Sequence, residues 1–130
     1  MNIPKWIRPL FFVVGLYDGI LGILFLVTPL QLFKLCNVTP PNHIGYVQFP
    51  AMLLIVFAIM FFKIARGPIA NRSLIPYGIM LKFAYCSVVF YYSLLGQIPS
   101  IWVPFAYFDF VCMIAFIIAH KKLGSAANKV

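Results

Sequence analysis

Four long apolar stretches divide this chain, and they constrain its fold more than any other feature. They run from about Leu10 to Phe33, Tyr46 to Phe62, Leu74 to Leu95 and Ile101 to Ala119. Each is close to the ~20 residues that an α-helix needs to cross a bilayer. Inside lipid every backbone N–H and C=O must find a partner within its own segment, so stretches of this kind are helices. The alternating pattern of a membrane β-barrel is absent. Residues 1–123 are therefore expected to form one all-α, four-transmembrane-helix bundle, with 124–130 as a fraying polar tail.

Composition agrees. Of 130 residues, 64% are hydrophobic and only 9% charged, with a mean hydropathy of +1.01. A water-soluble domain is nearer half apolar and a quarter charged, and a disordered chain is more polar still. Four spans leave no room for a soluble catalytic domain. The first span follows Lys5 and Arg8 as a secretory leader would, but it is long and shows no small-residue cleavage site, so it is expected to stay.

The formal charge is +8, and its placement explains it better than nucleic-acid binding does. Lys5, Arg8, Lys63, Arg66, Arg72, Lys121, Lys122 and Lys129 all fall on one side of the four spans, against Lys34 alone on the other. The positive-inside rule then puts both termini in the cytoplasm, as expected for a bacterial inner-membrane protein. Anionic lipid at the cytoplasmic face is the matching partner. Thr39–His43 and Gly96–Pro99 would face outward, and the shortness of the second loop makes spans three and four antiparallel neighbours.

Prolines punctuate the spans. Pro9, Pro50, Pro76 and Pro104 fall near the four starts, where a missing N–H costs little. Pro29 falls late in span one and should kink or end it.

Three ionisable residues lie inside apolar spans: Asp18, Lys82 and Asp109. Each would cost roughly 2.5–3.5 kcal/mol to insert alone. Measured from Arg8, Arg72 and Lys121 at ~1.5 Å per residue, they lie about 15, 15 and 18 Å from the inner edge. One depth for three groups on three helices predicts one buried cluster. Asp18 shares a helix face with Gly15 and Gly22, and Gly15 and Gly19 form a GxxxG pair, so that face should meet another helix. Gly78 precedes Lys82 by one turn, and Ala106 and Cys112 flank Asp109. The Tyr17 and Tyr85 hydroxyls are within reach of the cluster in sequence, while Trp6 and Trp102 suit the two membrane interfaces. The cluster either fixes helix register or forms an ion, proton or ligand site. Two carboxylates and one amine cannot all neutralise one another, so the core either holds a proton or carries a net −1.

Other chemistry has little support. Cys36, Cys86 and Cys112 give no disulfide framework, and Cys36 with His43 is too few ligands for a metal. His120 is placed to cap span four. No nucleophile–base set, phosphate loop or haem motif is visible, and no cofactor is implied by the residues.

Arg8 ahead of a helix bearing Gly15, Gly19 and Gly22 and ending at Pro29, in a four-span chain of this length, resembles the DoxX-like group of small bacterial membrane proteins. The resemblance implies the four-span architecture. It also implies a family mostly of unknown function, some of whose members serve quinone-linked sulfur oxidation. No catalytic residue carries over. The expected function is a non-enzymatic membrane protein, acting as an accessory subunit or binding a small apolar ligand around Asp18, Lys82 and Asp109. The alternative is an oligomer that transports a proton, a cation or a small solute with the same charges.

Overall fold

The computed structural model describes residues 2–129. Among them all regular structure is helical: α1 (Ile7–Val27), α2 (Pro29–Leu35), α3 (Gly45–Arg66), α4 (Ile75–Leu94), which follows a 3₁₀ turn at Arg72–Leu74, and α5 (Trp102–Ala127). Four of these elements are long and apolar enough to cross a membrane: α1, α3, α4 with its preceding turn, and α5.

Span one is shorter than its apolar run. Pro29 has no N–H to continue the helix and clashes with the preceding turn, so α1 ends at Val27 and Pro29 opens the seven-residue α2. The freed carbonyls find partners. Thr28 gives both its N–H and its hydroxyl to Leu24 O, at 2.9 Å each. Gln48 of α3 reaches Leu26 O at 3.3 Å. Pro50 differs from expectation in the other direction. It lies inside α3, beyond the first turn, because the helix begins at Gly45. At the far end of the chain α5 continues to Ala127, so 124–127 is helix and not tail, and His120 sits within the helix instead of capping it. Leu123, fully buried, holds that last stretch in the core.

The helices form two tight pairs. In the first, α1 lies against α3 through its small residues. A Cβ on Gly22 would come within 2.7 Å of the Ala51 carbonyl oxygen, and one on Gly19 within 3.3 Å of the Ala58 Cβ. The contact needs hydrogen at Gly22. In the second pair, α4 and α5 are joined by a short turn in which Gly96 takes φ +67°, a conformation that glycine adopts freely. The Cys86 thiol donates to Ala106 O at 3.2 Å across this pair.

The two pairs meet through large side chains. At the end holding Ile7, Arg66 and Leu123, the Phe11 ring stacks on Phe116 at 4.8 Å and Phe61 lies 5.3 Å from Phe116, between centroids. Ile7, Ile64, Ile75 and Ala119 complete a fully buried core there. Polar links close the same end. Arg8 donates to Arg66 O at 2.8 Å and Arg72 Nε to His120 O at 2.9 Å. Asn71 Nδ2 donates to Gly67 O at 2.9 Å and Lys63 O at 3.1 Å. The orphan carbonyls that end α3 are thus covered by donors, one of them cationic.

Candidate functional site

Above the phenylalanine core, at mid-length of the bundle, α1, α4 and α5 bring Asp18, Lys82 and Asp109 together. Lys82 Nζ donates to both oxygens of Asp18 at 3.0 Å and to Oδ1 of Asp109 at 3.1 Å. Three acceptors match the three protons of an ammonium group. Lys82 and Asp18 are 1% exposed and Asp109 7%. An unpaired charge at such burial is costly, and pairing with hydrogen bonds is how it is tolerated. The common depth read from helix rise is thus the depth at which the three side chains meet.

Local sequence explains the aim of each group. Asp18 sits between Gly15 and Gly22 in the chain, but those glycines face α3. Gly15 and Gly22 would carry a Cβ into Phe62 and Ala51 respectively. Asp18 is offset from them around α1 and points across to α4. The GxxxG face is therefore occupied within the protomer. Gly78, one turn before Lys82, lets the Phe61 ring lie close: a Cβ there would be 2.7 Å from Phe61 Cε1. Ala106 and Cys112 are buried around Asp109 on α5.

The tyrosines do not join the cluster by their hydroxyls. The Tyr85 hydroxyl donates to Trp102 O at 3.0 Å. The Tyr17 hydroxyl is buried with no hydrogen-bond partner among the described residues. What Tyr17 offers Lys82 is its ring face, with Nζ 5.7 Å from the centroid; Phe61 offers a second at 5.8 Å. Both lie within the ~6 Å over which a ring attracts a cation.

Beyond the cluster, away from the phenylalanine core, the two helix pairs stand apart and enclose a cavity of about 400 Å³. Asp18, Lys82 and Asp109 form its polar part. Val47, Pro50, Ala51 and Leu54 of α3 and Leu21 of α1 supply aliphatic wall, while Phe25, Phe33, Trp102 and Phe105 supply aromatic wall. Its lining is partly open to the surroundings, since Pro50 is exposed and Leu53 is 41% exposed. The break at Pro29 contributes directly: α2 folds back so that Phe33 lies 6.2 Å from both Phe25 and Trp102.

Phe105, Phe25 and Phe33 are lining residues that the sequence did not single out. Trp102 reads as an interface anchor, yet it packs inward. The available signal was the gathering of aromatics at the same end of three elements, which apolar periodicity alone does not separate from lipid-facing residues. Cys36 is exposed, and Cys86 and Cys112 are buried as free thiols.

Comparison of the chain with protein-family models, with curated proteins and with solved structures finds no significant match. The functional argument therefore rests on the site.

Proposed function

We propose that this protein is an integral membrane protein that binds a small, largely apolar molecule inside its helix bundle. One observation carries the reading: a cavity of about 400 Å³ lined by all four long helices, largely apolar, with Asp18, Lys82 and Asp109 as its charged groups. Small-molecule sites are usually concave, apolar and supplied with a few convergent polar groups, at roughly 300–1,000 Å³. No catalytic role is assigned to the three polar residues.

The threading proposed is both termini cytoplasmic, in a bacterial inner membrane. Support comes from the end of the bundle where Arg8 meets Arg66 and Arg72 meets His120. Eight Lys and Arg residues belong to the segments at that end, with Lys34 alone at the other. The same basic end suits anionic lipid. Kinship with the DoxX-like proteins is proposed on architecture alone, from Arg8, the α1 glycines and the break at Pro29.

Transport through an oligomer is the competing reading. It requires the Phe11, Phe61 and Phe116 stack to open, because those rings fill the bundle between the cluster and the basic end.

A cavity-filling substitution tests the binding reading. Leu54→Trp should abolish retention of small molecules through purification while leaving the unfolding temperature in detergent unchanged. Equal retention by the parent and Leu54→Trp proteins would contradict it.

A further inference from the structure

Lys82 does not divide itself evenly. It takes both oxygens of Asp18 and only Oδ1 of Asp109. The Asp18 side chain is 2% exposed and that of Asp109 10%. One ammonium cannot neutralise two carboxylates, and Asp109, held through one oxygen, is the less fully paired and the more exposed of the two. Both carboxylates line the cavity.

The other walls narrow the ligand class. Tyr17, Tyr85, Trp102 and Phe105 all line the cavity close to α5, and aromatic faces attract cations, most of all where water is excluded. A bare metal cation is poorly served, since hard cations want six or more oxygen ligands and the walls are almost wholly apolar. An anion would meet the excess negative charge. A neutral molecule would fill the space but leave Asp109 to share the Lys82 ammonium with Asp18.

We propose that the cavity takes a hydrophobic organic cation, a quaternary or protonated amine on an apolar body, with Asp109 as its counter-ion. Asp18 and Lys82 form the neutral pair that holds the site in shape. The proposal rests on the binding reading above and adds the charge of the ligand.

Shape-matched probes separate the two claims. Benzyltrimethylammonium and neopentylbenzene differ by a positive nitrogen in place of a carbon. Each is titrated against the full chain in detergent in a Trp6→Phe background, so that Trp102 in the cavity wall reports alone, with free concentrations corrected for micelle partition. The cation should bind roughly tenfold or more tightly than the neutral probe. Asp109→Asn should remove that preference and bring the two affinities together, and Asp109→Glu should keep it. Equal affinities in the parent protein would overturn the cation proposal and leave the binding reading standing. Absence of any Trp102 response to either probe would overturn both. The parent comparison decides the matter even if Asp109→Asn fails to fold.

Discussion

Lys82 sits squarely on Asp18, with Nζ 3.0 Å from each of the two carboxylate oxygens, in a pair that is 1% exposed on both sides. Sixty-four residues separate them in the chain. Their meeting ties α4 to α1, and so ties one helix pair to the other at mid-bundle.

Removing only the amine should therefore be costly. Lys82→Met leaves two buried carboxylates facing one another. A loss of about 3–5 kcal/mol is expected, as for other broken buried pairs. Replacing all three groups, Asp18→Leu with Lys82→Met and Asp109→Leu, should recover most of it. Unfolding in detergent measures both. A triple variant no more stable than Lys82→Met would show that the cluster does more for stability than satisfy its own charges.

The α1–α3 contact predicts a graded glycine series. Gly22→Leu drives a side chain into the Ala51 carbonyl and Ile55, and should cost about 1–3 kcal/mol by overpacking. Gly19→Ala meets only the Ala58 Cβ, at 3.3 Å, and should cost much less. Thermal unfolding of the two variants ranks them, and a reversed order would contradict the packing described.

The two cavity tyrosines should separate cleanly. Tyr17→Phe removes a buried hydroxyl that has no partner among the described residues, and stability should hold or rise. Tyr85→Phe removes the hydrogen bond to Trp102 O and should cost about 1 kcal/mol. Equal losses in both would mean that Tyr17 has a partner in the membrane.

Natural cysteines report the threading. Cys36 is exposed at the end of α2, while Cys86 and Cys112 are buried. With both termini cytoplasmic, a membrane-impermeant maleimide should label Cys36 in intact cells once any outer barrier is opened. Labelling only after the inner membrane is permeabilised would invert the topology.

Much of this was legible in the sequence, for physical reasons that apply helix by helix. A bilayer fixes span length, so four apolar runs give four helices. It also fixes depth, so Asp18, Lys82 and Asp109 could be placed on one level from helix rise alone. The basic residues gathered at one end in the same way, because each loop lies on a definite side. Proline chemistry foretold a kink or an end at Pro29, and the chain does both there: α1 ends and α2 begins. What was not legible depends on which way a side chain turns. Trp102 and Phe25 face inward, but nearly every neighbour in these helices is apolar, so no polar face marks the outside. Pro50 reads as belonging to the first turn because span two starts at about Tyr46, but with the helix beginning at Gly45 it falls just beyond that turn. The last turn of α5 reads as tail because Gly124, Ser125 and Ala126 are small, whereas buried Leu123 and Arg72, packed against Gly124, keep it in the helix.

The central claim is that the space beside Asp109 holds a molecule, and native mass measurement of the protein released from mild detergent tests it most directly. The account predicts a resolved adduct, in the mass range of a small organic molecule, on the parent chain, and loss of that adduct in Leu54→Trp. A parent chain carrying no adduct, or one carrying the same adduct as Leu54→Trp, would contradict it.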